Sequence, residues 1–129
     1  MVANLYAFTG GGGGGGGGGT TAHDVVPHHG QVAAVPRDAE TTVASYVVPV
    51  GYTFRLQGLI ATGSADAEWI VYDNTTEVYR TRTSAGERGK EVLHGNAIPF
   101  VAGHTVAVKA IHQEVSVQNF YATLLGYDA

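Results

Sequence analysis

The chain contains no cysteine, few charged residues and no hydrophobic run long enough to span a membrane. The absence of cysteine excludes disulfides, thiolate catalysis and cysteine-based zinc sites. Seven basic residues against eleven acidic ones give a formal net charge of −4, which argues against a general binder of nucleic acid or anionic membranes. Charged residues make up only 14% of the chain and hydrophobic residues 44%, a balance that favours a surface partly covered by protein partners.

The most unusual feature that is present is an unbroken run of ten glycines, Gly10 to Gly19. Ordering the backbone of one residue costs about 1–2 kcal/mol, and glycine has no side chain to compensate. Two roles fit such a run. One is a flexible tether; the other is an extended helix with three residues per turn, packed against other copies and spanning about 31 Å. Both roles favour an assembly component over a solitary enzyme.

The first 42 residues are predicted to form an extended arm ahead of a β domain at 43–129. The apolar start, 1–9, has no basic residue and is too short to span a membrane, so it does not resemble a signal peptide. The glycine run follows at 10–19, and residues 20–42 are predicted to be a linker in which histidine and proline interrupt regular structure. We expect the arm to bind a partner through Leu5, Tyr6, Phe8, Gly10 and Gly19.

Residues 43–129 alternate apolar and polar side chains with the period of two that is typical of β-strands. β-branched and aromatic residues dominate, and turn signals rich in glycine, proline, asparagine and aspartate separate the windows. Short strands at this spacing predict an all-β fold, an antiparallel β-sandwich of jelly-roll type. The candidate strands lie near 43–48, 53–61, 67–72, 76–83, 90–94, 104–112 and 117–127.

No pattern in the chain indicates catalysis or a cofactor. The glycine run matches a dinucleotide fingerprint only trivially, because no βαβ pattern surrounds it, and no lysine follows it as a phosphate loop requires. The serines lack a nucleophile elbow, and the acidic side chains cluster at predicted turns. We therefore predict a protein that is not an enzyme.

Three histidines are the only candidate metal ligands, namely His23, His28 and His29. Together with Asp24 they form the densest group of side chains that suit zinc or a similar ion. Their spacing matches no recognised ligand motif, and a polar linker that crosses a partner's surface is the favoured explanation. We therefore predict no metal site, with these histidines as the residues to inspect.

A basic group at Arg80, Arg82 and Arg88 is the main electrostatic candidate for a partner surface. Acidic residues flank it, so the group is either a solvated strand with mixed charge or an ion-pair patch between subunits. We favour the second, because arginine suits interface pairing. Trp69 and nearby tyrosines offer a possible sugar-stacking platform, for which core packing is the commoner use.

The β domain resembles a family of small virion proteins. The resemblance rests on Tyr46–Phe54, Leu56–Gly63, Arg80–Ser84, Val101–Val108 and Phe120–Tyr127. In their order of strands and turns these segments are similar to the β-sandwich domains of tailed-bacteriophage decoration (cement) proteins and head fibres. The resemblance implies a homotrimer in the virion, made in the host cytoplasm, that binds the major capsid protein or another virion protein through the arm and the β domain.

The net charge of −4 adds the prediction that the protein binds neither nucleic acid nor membrane. The alternative implication of the resemblance is a fibre or tail component whose β-sandwich tip binds a receptor or a glycan.

Overall fold

The computed structural model describes residues 26–83 and 89–129. These residues form eight strands and no helix, so nothing in the described part of the chain could cross a membrane as a helix. The all-β prediction is confirmed. The strands are β1 (Val26–Val35), β2 (Thr41–Val47), β3 (Phe54–Gly63), β4 (Ala67–Asp73), β5 (Thr76–Thr83), β6 (Gly89–Phe100), β7 (Thr105–Ile111) and β8 (Gln118–Asp128).

The strands form two four-stranded antiparallel sheets, ordered β1-β8-β3-β6 and β2-β7-β4-β5. Each strand of the first half of the chain therefore pairs with one of the second half in reverse order: β1 with β8, β2 with β7, β3 with β6 and β4 with β5. An antiparallel ribbon rolled up in this way is the eight-stranded jelly roll. The two sheets thus form the antiparallel β-sandwich that the alternation of apolar and polar residues and the spacing of the turns predict.

The core lies between the two sheets and is dominated by aromatic and branched side chains. Phe54, Trp69, Phe100 and Phe120 are all fully buried. The Trp69 ring packs edge-on against Phe120, with 5.5 Å between ring centroids, and its Nε1 donates a hydrogen bond of 3.2 Å to Thr83 Oγ1. Trp69 therefore contributes to the core, and the sugar-stacking interpretation of this residue is wrong.

The predicted linker at 20–42 is wrong where it overlaps β1 and the start of β2. Pro27 is the second residue of β1, an edge strand, where a missing N–H leaves the ladder almost intact. The strand bulges between Val32 and Val35, and Ala34 there has a φ of 57°. Because β1 is part of the sandwich, the predicted boundary between residues 42 and 43 falls inside β2 rather than between an arm and a domain.

Gly30 allows β1 to lie directly against β2 of the facing sheet. A Cβ at this position would meet the carbonyl oxygen of Val43 and the backbone of Ala44. Glycine is therefore required by close approach between backbones.

Replacing Gly30 by alanine is expected to lower the free energy of unfolding by about 1–3 kcal/mol, because β1 must move away from β2 to accommodate the methyl group. Urea denaturation measures the change. Ala33→Ser, at an exposed position of the same strand, is the control and is expected to stay within about 0.5 kcal/mol of the parent. Equal stability of the parent and Gly30→Ala would contradict the described contact between β1 and β2.

Candidate functional site

One end of the sandwich carries the β4–β5 turn, where Asp73 Oδ1 lies 2.6 Å from His104 Nδ1, and the β2–β3 and β6–β7 turns. Val48 joins the latter two, since its N–H donates to the carbonyl of His104 at 2.9 Å and its carbonyl accepts from the N–H of Gly103 at 2.8 Å. The C-terminal residue closes the same end, because Thr53 and Ala129 exchange two backbone hydrogen bonds of 3.0 and 2.9 Å. The β2–β3 and β6–β7 turns are therefore held in a fixed relation to each other and to the last strand.

Large hydrophobic side chains are exposed on these turns. Val50 is 90% exposed, Val47 61%, Val101 52% and Tyr52 50%, and we call these four residues the apolar end. The segments 44–54 and 97–103, from which they come, contain no charged residue. Contiguous exposed apolar side chains of this kind mark interaction surfaces more often than solitary ones do.

The N-terminal segment joins the sandwich at the apolar end. The first residue of β1, Val26, lies opposite Gly126 near the end of β8, and the start of β3, Phe54, lies opposite Asp128. Residues 1–25 are therefore connected beside the β2–β3 turn. Six residues predicted to bind a partner or a metal lie in this segment, outside the described residues: Leu5, Tyr6, Phe8, Gly10, Gly19 and His23.

An aromatic and acidic cluster lies directly beneath the apolar end. The rings of His28 and Tyr46 stack with 3.8 Å between centroids, and Phe54 meets both edge-on at 5.6 and 5.1 Å. The Tyr46 hydroxyl donates a hydrogen bond of 2.5 Å to Asp128 Oδ2. The other carboxylate oxygen, Asp128 Oδ1, is buried and has no hydrogen-bond partner among the described residues. The cluster ties β1, β2, β3 and β8 together at one point.

Burial and the nearby carboxylate set the protonation of this cluster. Burial, with the hydrogen bond to Asp128 as second cause, raises the pKa of Tyr46 to about 12. Burial lowers the pKa of His28; the charge of Asp128 opposes this shift and His29 reinforces it. The folded protein therefore favours the neutral ring of His28, which suits its stacked position between Tyr46 and Phe54.

We expect the free energy of unfolding to fall as the pH drops below the ordinary histidine value of 6.5, because the folded pKa of His28 is lower and protons therefore favour the unfolded chain. The stability that neutral His28 contributes is complete above that value. Denaturation curves between about pH 7.5 and 5 measure the slope. His28→Phe, which keeps an aromatic stack, should flatten it.

His29→Phe is the matched control for this measurement, since His29 is an exposed neighbour on the same strand. It should retain most of the pH slope of the parent. A His28→Phe protein with an unchanged slope would show that His28 does not cause the acid sensitivity.

The two described histidines of the metal prediction lie on opposite faces of β1. His28 faces Tyr46 and Phe54, whereas His29 Nδ1 shares a hydrogen bond of 2.8 Å with Thr123 Oγ1 on the outer face. Neighbours that point to opposite faces of a strand cannot coordinate one ion within a single chain. Among residues 26–83 and 97–129, whose side chains the structure describes, no three histidine, aspartate or glutamate side chains form a group that could hold a metal.

In the predicted basic patch, Arg80 is paired with acidic residues of β5 and of the neighbouring strand β4. Arg80 makes two hydrogen bonds to Glu77, of 3.0 Å from Nε and 2.7 Å from Nη2, and its Nη1 lies 2.8 Å from Glu68 Oε1. Arg82 is exposed and lies opposite Glu68 in the ladder, while Arg88 lies outside the described residues. The Arg80 charge is thus compensated within the chain, and a role of the patch between subunits stays a prediction.

Comparisons with known proteins identify no family. No protein-family model matches the chain, and no curated protein matches it. Similar solved structures include the insecticidal delta-endotoxin Cry8Ea1 from Bacillus thuringiensis, with 8% identity over 84% of this chain and a TM-score of 0.46. PirA shows 13% identity over 76% of this chain with a TM-score of 0.44, and the nucleoplasmin-like N-terminal domain of Drosophila FKBP39 shows 12% over 78% with 0.38.

The chain matches very different shares of these proteins. It spans 20% of the length of the delta-endotoxin, 93% of PirA and 89% of the nucleoplasmin-like domain.

Proposed function

We propose that this chain is a virion structural protein of a tailed bacteriophage, with decoration (cement) protein as the favoured role and no enzymatic activity. The observation that supports the proposal is the apolar end, where four large hydrophobic side chains are exposed and Val50 is 90% exposed. Large hydrophobic side chains fixed on hydrogen-bonded turns fit a surface that a protein partner covers. The partner is a shell subunit with a matching apolar, uncharged surface.

The N-terminal segment strengthens this binding because it leaves the sandwich at the same end. Its apolar residues and the apolar end can then engage one partner together. Two linked contacts bind far more tightly than either alone, since the second forms at a high effective concentration. Under the tether interpretation of the sequence, the glycine run would link the two contacts.

The mechanism of such a protein is stabilisation by mass action. A protein that binds neighbouring subunits only when they are assembled favours the assembled state by an amount that grows with its concentration relative to its dissociation constant. No step of this mechanism needs a catalytic group or a cofactor. It needs a stable domain and a surface that is complementary to the assembled shell.

Replacing Val50 by aspartate is expected to weaken binding to assembled shells by about tenfold or more, because a charge would be buried against an apolar partner surface. Co-sedimentation with shells of the major capsid protein measures the binding. The matched control is Val115→Asp, since Val115 is 89% exposed on the β7–β8 turn at the other end. Equal loss in both variants, or loss in neither, would contradict an interface at the apolar end.

Deletion of residues 1–20 separates the two parts of the proposed interface. We expect trimers by light scattering both for the full chain and for the shortened one, with weaker shell binding in the shortened one, because the β domain carries the trimer contacts. A shortened chain that becomes monomeric would contradict this arrangement and favour a fibre in which the glycine run is an oligomeric shaft.

The alternative function is a fibre or tail component with a receptor- or glycan-binding tip. Trp69 cannot serve such a tip because it is buried. A different surface, on the outer face of β1 and β8, favours a glycan role.

A further inference from the structure

The outer face of β1 and β8 carries a shallow groove with an exposed tyrosine at its centre. Phe120, Ala122 and Leu124 of β8 point into the core, so the alternate residues Tyr121 and Thr123 point outward. Tyr121 is 47% exposed and lies directly opposite Gln31 of β1. Two hollows, of about 300 and 210 Å³, lie on either side of this pair and are both lined by it.

The groove offers polar groups that the protein itself does not use. The Gln31 side chain and the Tyr121 hydroxyl have no hydrogen-bond partner among the described residues. At one end His29 binds Thr123 through Nδ1, and its Nε2 has no hydrogen-bond partner among the described residues. At the other end Asn119 Oδ1 accepts the Ala34 N–H at 3.0 Å, which orients the amide and leaves its NH₂ group without a partner in the described part of the chain.

No lysine, arginine, aspartate or glutamate lines either hollow. This lining therefore fits an uncharged ligand better than a charged one. The hollows succeed one another along the strands, from His29 and Thr123 to Ala33 and Asn119, so the ligand is elongated rather than compact. The larger hollow is at the low end of small-molecule sites and the smaller one is below that range, so each has room for no more than about one ring-sized unit.

From these observations we propose that the groove around Tyr121 binds a neutral oligosaccharide. The apolar face of a sugar ring packs on the exposed face of the tyrosine, and the sugar hydroxyls exchange hydrogen bonds with Gln31, Asn119 and His29. We call Gln31, Tyr121, Asn119 and His29 the tyrosine groove. It is separate from the apolar end, and it does not depend on the proposed shell binding.

A peptide fits this groove less well than a sugar. An extended peptide recognises a sheet through the free backbone of an edge strand. Pro27 and the bulge near Ala34 interrupt that edge on β1, whereas the tyrosine groove lies on the face and presents side-chain amides, an imidazole and a ring.

The test is a binding titration of the full chain with chitohexaose, cellohexaose and maltohexaose, followed by amide chemical shifts, with sialyllactose as the charged comparison. We expect at least one neutral hexasaccharide to bind and to shift the amides of residues 29–33 and 119–123. Sialyllactose should bind more weakly. Absence of binding by all three neutral oligosaccharides at millimolar concentration would overturn the proposal.

Variants locate the binding. Tyr121→Ala should weaken it by about tenfold or more, because the stacking surface is lost, while Tyr121→Phe should retain most of it. Gln31→Ala should weaken it without affecting the fold, since Gln31 is exposed. The matched control is Tyr52→Ala, which removes a tyrosine of similar exposure, 50%, from the apolar end and should leave oligosaccharide binding unchanged.

Three results contradict the proposal: sugar binding that Tyr52→Ala abolishes, sugar binding that Tyr121→Ala leaves intact, and preferential binding of an extended peptide at Tyr121. Shell binding is scored separately with Val50→Asp, so the two proposals can fail independently. If the protein binds sugar but does not bind shells, the proposed oligosaccharide site stands and the proposed decoration role is rejected.

Discussion

The architecture depends on the antiparallel ladder between β1 and β8, the first and last of the described strands. Its register, from Val26 opposite Gly126 to Val35 opposite Gln118, closes the jelly roll. The same register brings His28 to the cluster of Tyr46 and Asp128, and it places Gln31 opposite Tyr121 on the other face. A shift by one residue would exchange these two faces, because successive side chains alternate. The β1–β8 ladder therefore determines both the cluster around Tyr46 and the tyrosine groove.

Strands at the positions of β2 to β8 could be predicted from the sequence because apolar and polar residues alternate and turn residues separate the windows. For β6 the prediction, 90–94, is too short, since the strand continues through Pro99 to Phe100. β1 could not, since Pro27 and Gly30 disfavour a strand locally. An edge position and contact with the facing sheet override that preference. At Trp69 the commoner use, core packing, is confirmed. The sequence left sugar stacking open there because alternation shows that a side chain shares a face with its neighbours, but not whether a partner sheet covers that face.

The candidate surfaces were also hard to predict, because the exposure of a side chain depends on how the sheets and turns pack. Val50 and Val106 are identical as residues, yet one is 90% exposed and the other fully buried, and only the position of the turns distinguishes them. The tyrosine groove combines residues about ninety positions apart in sequence, which no local pattern connects. Arg80 could be recognised from the sequence as part of a charged group. Its contact with Glu68 could not, because that contact depends on β4 lying beside β5.

The edges of the two sheets have a further consequence. An edge strand presents unpaired backbone groups that can recruit another sheet, and proteins limit this with proline, bulges and charges. β1 has a proline and a bulge, and the edge strand β5 carries Glu77 and Arg80. Without such features, neighbouring copies of a β-sandwich could pair edge to edge and extend their sheets without limit. The edges at β1 and β5 therefore oppose this kind of association.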